Sequence, residues 1–193
     1  LNNFLFASLR KTETISSKWL YDGQFRFYLT GNLLGNFFFN ANAGRTLGKR
    51  AGVLTAGYQQ AVQRASYMME SYQTNYYSLT ANLKNQVMSR IHLTYQHPPS
   101  LTSVSLRYYL LGNFIYRDTS LQAKQYDQVI SLYQLSLSNS WHIQYWVLES
   151  NVMLQQVNEQ SPIHLPLMAA AIRFSHERPV LKNKLKIATG PEV

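Results

Sequence analysis

The sequence predicts a β-rich α+β protein. The expected architecture is a long-stranded antiparallel sheet, as a barrel or a strongly curved sheet, with one amphipathic helix near residues 50–73. Three observations lead there. Apolar and polar residues alternate with period two over long stretches. The stretches are separated by turn-forming clusters. One segment instead repeats its apolar residues every three or four positions. Period two places alternate side chains on opposite faces of a strand, and a spacing of three and four places them on one side of a helix.

The first alternation runs from Phe25 to Ala43. Its odd positions are apolar or small and its even positions mostly polar, without a slip of parity. As one strand it would extend about 60 Å, far beyond the roughly 9–11 residues that a membrane strand needs. Leu33-Leu34-Gly35-Asn36 is the place where a turn could hide without changing the parity. The segment from Arg50 to Tyr72 follows, with Leu54, Tyr58, Ala61, Val62, Ala65, Met68, Met69 and Tyr72 at helical spacing. Gly57, inside it, disfavours a helix slightly.

A second alternation covers Tyr77 to Tyr95, a third Val104 to Tyr116, and a fourth Val129 through Tyr145 to Val147. A fifth, shorter run lies near Ile163–Phe174. His97-Pro98-Pro99-Ser100, Arg117-Asp118-Thr119-Ser120 and Asn158–Pro162 read as connections, because Pro breaks ladders and Asp and Ser start turns. Short links imply antiparallel neighbours, so the chain from residue 76 onward reads as a meander. The tail alternates Leu181, Asn183, Leu185 and Ile187 against Lys182, Lys184 and Lys186. Lysines on one parity guard a sheet edge, which places this tail at an edge or on a partner.

The 193 residues read as a single domain, 1–193, long enough to bury a core, with flexible or partner-bound ends near 1–18 and 176–193. The absence of cysteine rules out disulfides, thiolate metal sites and cysteine nucleophiles. Lys and Arg total 18 against 9 Asp and Glu, a net charge of +9, and the pI is near 9.8. Only 14% of residues are charged, while 13% are aromatic. Such a surface suits an anionic partner: nucleic acid, anionic lipid or an acidic neighbouring subunit.

Motifs for chemistry are sparse. Ala43-Gly44-Arg45-Thr46-Leu47-Gly48-Lys49-Arg50 stands between an expected strand and an expected helix, where a phosphate-binding loop would be. It lacks the first Gly, and Arg50 replaces the Ser or Thr that would hold magnesium. The blander reading is a basic turn that still binds a phosphate at a helix N-terminus. His92 and His97 fall on opposite faces of a strand, and the carboxylates are scattered, so no metal set or acid–base pair emerges. No stretch carries a family signature. The sequence points to no catalytic residue, metal or cofactor. Its candidate anion or phosphate contacts are Arg45, Lys49, Arg50, Arg90 and Arg107. Its candidate interfacial aromatics are Tyr77, Tyr95, Tyr108, Tyr116, Trp141 and Tyr145, with the sheet propensity of Tyr and Trp as the simpler explanation.

The leading expectation is a non-enzymatic structural or assembly component of the cell envelope or outer membrane. It would form or contribute to an outer-membrane-type β-barrel and sit against lipid or neighbouring protein subunits in a larger complex. The apolar face is more than the one expected helix can cover, which requires lipid, a barrel wall or other subunits. One alternative is a soluble basic nucleic-acid-binding subunit of a ribonucleoprotein or virion assembly, in an organelle or virion interior. Another is a lipid carrier whose curved sheet surrounds a helix.

Overall fold

The computed structural model describes residues 2–12, 18–48, 50–73, 78–118, 122–158, 161–180 and 185–192. The alternating segments become strands. In chain order these are β1 (Phe4–Lys11), β2 (Trp19–Tyr28), β3 (Phe37–Gly48) and β4 (Gly52–Gln63). A single helical turn α1 (Tyr67–Glu70) and the short strands β5 (Ser71–Gln73) and β6 (Ser78–Thr80) follow. Then come β7 (Gln86–His97), β8 (Thr102–Gly112), β9 (Phe114–Arg117), β10 (Ala123–Tyr126) and β11 (Ile130–Ile143). The chain ends in β12 (Trp146–Val157), β13 (Met168–Val180) and β14 (Leu185–Thr189).

Ten strands form one sheet in the order β1-β2-β3-β4-β7-β8-β11-β12-β13-β14. Every neighbouring pair is antiparallel. The sheet is not closed: β1 and β14 are its two edges. β5–β6 and β9–β10 are small ribbons outside it.

The connections are asymmetric. At one end β3–β4, β7–β8 and β11–β12 follow each other closely, the last two through 98–101 and 144–145, and β1 ends and β2 begins at that same end. At the other end the connections are longer: 29–36, 64–85, 113–129 and 158–167. Glycine makes the first tight turn possible. Gly52 has φ +80, and a Cβ there would collide with the Gln96 carbonyl of β7. Tyr95 Oη donates to the Ala51 carbonyl at 3.0 Å, and His97 bridges the Arg50 carbonyl at 2.7 Å and Ser100 Oγ at 2.6 Å. The long connections are tied to one another. Arg64 donates to Glu70 through Nε and Nη2 at 2.9–3.2 Å, and its amide donates to Asn36 Oδ1 at 3.0 Å. Gln125 bonds the backbone of Lys84 in both directions, at 2.9 and 2.8 Å.

Several expectations need correction. The helix expected over 50–73 is not present. Residues 52–63 are strand β4, paired along its length with β3 and β7, and only Tyr67–Glu70 form a helical turn. Period two is blurred in β4 because its polar-side positions include Val53 and Ala61 and its apolar side includes Gln60. The ladder on both flanks then outweighs the local spacing of three and four. Gly57 belongs to the strand: a Cβ there would strike the Asn42 amide and the His92 ring. The long first alternation is two strands, with Gly31 and Gly35 at φ +83 and +80 in the turn between β2 and β3. The fourth alternation does not keep its parity through Val147. The turn at Gln144 and Tyr145 pairs Ile143 with Trp146, so Val147 points to the other face and is buried. The expected core is also missing. Ala61, Ala65, Ile130 and Val147 are the buried hydrophobics among the described residues, because no second layer packs on the sheet.

A two-faced wall as the candidate functional site

The register defines both faces. Starting from Gly23, one cross-strand row reads Gly23, Ala41, Tyr58, Ile91, Tyr108 and Tyr133 over β2, β3, β4, β7, β8 and β11. The next row on this face reads Tyr21, Ala43, Ala56, Leu93, Leu106, Leu135, Leu154 and Met168. This face is apolar and uncovered: Leu9, Ile91, Leu106 and Ile172 are exposed by 72%, 56%, 51% and 49%. In a protein dissolved in water such a continuous surface would be a liability. It extends from Trp19 to Phe27 in β2 and from Tyr133 to Trp141 in β11, each about 27 Å along the strand. At a tilt near 40° that is about 20 Å of height, close to the apolar band of a membrane barrel.

Aromatics border this band. Toward the tight turns lie Trp19 stacked on Tyr21 at 6.2 Å, Tyr95, Trp141, and Trp146 stacked on Phe174 at 4.9 Å. Toward the long connections lie Phe25, Phe39, Tyr58, and Tyr108 stacked on Tyr133 at 4.6 Å. Amphipathic rings settle at the level of lipid headgroups.

The opposite face is polar. One row crosses eight strands: Arg10, Asp22, Asn42, Gly57, His92, Arg107, Gln134 and Gln155. Arg10 Nε meets Asp22 Oδ2 at 3.1 Å, and Asn40 and Asn42 donate to Asp22 Oδ1 at 3.4 and 3.5 Å. Gln134 Nε2 donates to Gln155 Oε1 at 3.1 Å. Arg107 reaches Ser136 Oγ and Ser105 Oγ at 3.4 Å each. Between β1 and β7 these side chains border an open recess of about 610 Å³, lined among others by Arg10, Asp22, Asn42, Gln59, Arg90 and His92.

A family model whose description reads "putative porin" matches residues 2–193. The chain belongs to this porin family. No curated protein and no solved structure matches it. Family and sheet together are those of an outer-membrane β-barrel type of protein. This also gives the expected envelope location and membrane setting their support.

The sequence candidates distribute unevenly over this porin wall. Arg90 and Arg107 lie on the polar face, flanking His92. Arg45 lies on the apolar face at the tight-turn end, its guanidinium 5.3 Å from the Trp19 ring centre. Arg50 is exposed in the β3–β4 turn, and Lys49 lies outside the described residues. The phosphate-loop reading falls, because Gly44 to Gly48 is strand and leads into another strand, with no helix N-terminus to receive an anion. Among the aromatics, Tyr95, Trp141 and Tyr145 gather at the tight-turn end. Tyr108 lies toward the other border, Tyr116 sits in the β9–β10 ribbon, and Tyr77 lies outside the described residues. Sequence reasoning missed Trp19 and Tyr21 for the border, and Asp22 and Gln59 for the polar face; it put Asn42 and His92 on the polar parity without singling them out as site residues. Their parity relative to Phe25, Ile91 and Leu93 was the available signal.

Outside the sheet, two cations are held firmly charged. Glu70 raises the pKa of Arg64 through their hydrogen bonds and its charge. Asp118, 2.9 Å from Lys124 Nζ, does the same for that ammonium.

Proposed function

We propose that this chain forms part of the wall of an outer-membrane β-barrel, with its apolar face toward lipid and its polar face lining an aqueous pathway for solutes. It would be a non-enzymatic envelope component. The observation that carries the reading is the two-faced register across β2, β3, β4, β7, β8, β11 and β12: greasy and uncovered on one side, hydroxyl-, amide- and guanidinium-bearing on the other. A lipid bilayer supplies the cover that the apolar face lacks, and strands can cross it only when their backbone groups pair with neighbours. Short turns at one end and long connections at the other are the usual asymmetry of such barrels. By that pattern the connections at 64–85 and 113–129 face the cell exterior. The lipid-carrier alternative needs a helix for the sheet to surround, and the single turn of α1 cannot serve. The nucleic-acid alternative needs a basic surface on one side, whereas the arginines divide between both faces.

The cysteine-free sequence makes a clean test. Single cysteines are introduced along β7 and β8 at Ile91, His92, Leu106 and Arg107 in the protein reconstituted into liposomes. A membrane-impermeant thiol reagent should label the His92 and Arg107 positions and spare the Ile91 and Leu106 positions. Uniform labelling of all four would defeat the reading. Planar-bilayer recording of the same protein should show discrete ion conductance.

A further inference from the structure

The charge on the polar face is not balanced locally. β3, β4, β7, β8 and β11 are consecutive in the sheet and contain no Asp or Glu. On their polar side stand Arg90 and Arg107, on neighbouring strands, with His92 between them. The flanking carboxylates are already engaged: Asp22 of β2 with Arg10 at 3.1 Å, and Glu149 of β12 with Arg173 at 3.8 Å. Asp22 is three strands from Arg90, about 14 Å at ordinary strand spacing, beyond the Debye length of roughly 8–10 Å at physiological salt. Arg90 and Arg107 have no carboxylate partner among the described residues.

Hydrogen-bonding capacity is left over at the same place. Arg90 Nε and a ring nitrogen of His92 are buried without a hydrogen-bond partner, a costly condition for polar atoms. Gly57 gives the His92 ring and the Asn42 amide the room they occupy over its backbone, since any Cβ there would displace both. The neighbouring wall offers neutral hydrogen-bonding groups: Gln59 directly across from Arg90, and Ser105 and Ser136 around Arg107. Guanidinium groups on a wall of neutral polar side chains bind carboxylate and phosphate oxygens well, and arginine-lined pores favour anions.

We propose that Arg90, His92 and Arg107 form an anion-selective site on the polar face, which concentrates small anionic solutes bearing carboxylate or phosphate groups. This rests on the reading of that face as the lining of an aqueous pathway. Two measurements separate the site from the pathway.

The first is the zero-current potential of the reconstituted protein under a potassium chloride gradient. Its sign should show chloride permeating more readily than potassium. In Arg90→Gln/Arg107→Gln the permeability ratio should fall several-fold toward unity. Arg45→Gln, on the apolar face, should leave the ratio unchanged. Open channels that prefer potassium, or whose ratio ignores the double substitution, would overturn the anion site while leaving the pathway intact.

The second measurement does not need conductance. A cysteine placed at Gln59, opposite Arg90, is modified in the detergent-solubilised chain by an anionic and by a cationic methanethiosulfonate reagent. A positive recess should raise the anionic-to-cationic rate ratio by about tenfold over the same cysteine in the Arg90→Gln/Arg107→Gln background. An equal ratio in both backgrounds would overturn the site. A raised ratio in a protein that never conducts would keep the site and overturn the pathway.

Discussion

Residues adjacent in the chain meet opposite demands. Ile91 is more than half exposed on the apolar face, while Arg90 and His92 on either side point to the polar face. Ile91→Arg should therefore cost about 2–4 kcal/mol, the usual penalty for a cation facing mid-bilayer lipid. Thr94→Arg, three positions on and on the polar face, should cost well under half of that. Urea titration in lipid vesicles measures both, and equal costs would contradict the assignment of faces. Gly52 is constrained differently. Its φ of +80 and its approach to the Gln96 carbonyl leave no room for a side chain. Gly52→Ala should destabilise the folded protein by about 1–3 kcal/mol through the β3–β4 turn. Gly48→Ala, where a Cβ would meet nothing within 4 Å, should suffer only its backbone conformational penalty and be the milder variant.

Among the strands, β4 departs furthest from its local pattern. Its sequence has helical spacing in Leu54, Tyr58, Ala61 and Val62, yet it lies in the middle of the sheet. Tyr58→Pro should abolish folding, because proline removes a ladder donor and is not tolerated in a central strand. Hydrogen exchange followed by mass spectrometry should find residues 53–62 among the best protected of the chain, whereas a solvent-facing helix would exchange at one face. The opposite case is β14. Alternating lysines predict an edge, and Leu185–Thr189 do pair only with β13 at the end of the sheet; Lys182 and Lys184 lie outside the described residues. Edge placement was legible because it needs only a solvated face. The identity of β4 was not, because its mixed faces make sense only against Asn42 on one side and His92 on the other.

For the molecule as a whole, the open sheet has a consequence. β1 is exposed throughout, with Phe4, Leu5, Phe6 and Leu9 each more than half exposed. An unpaired strand edge cannot stand in hydrocarbon, where its free N–H and C=O groups find no partner. In a membrane the sheet would need strand partners at β1 and β14. Expressed as these 193 residues in detergent, the chain should form assemblies heavier than one 22.3 kDa protomer, measured by size-exclusion chromatography with light scattering. A stable, monodisperse single protomer would show instead that β1 and β14 pair within one chain.

The period, the antiparallel tendency, the lack of thiol chemistry and a greasy face too large for one helix to cover were all legible in the amino-acid order. These are local properties, written in consecutive residues: in β8, Val104, Leu106, Tyr108 and Leu110 mark one face unaided. Folding in three dimensions settled the rest. It chose which strands are neighbours, that the chain reverses at Gln144–Tyr145, and that residues 52–63 are a strand. It also brought Arg90, His92 and Arg107 together and left Arg45 on the other face. The physical reason is that register is a relation between strands. A two-residue turn changes which parity lies on the apolar face, and a cross-strand row joins residues tens of positions apart, so neither can be read from any one window of the chain.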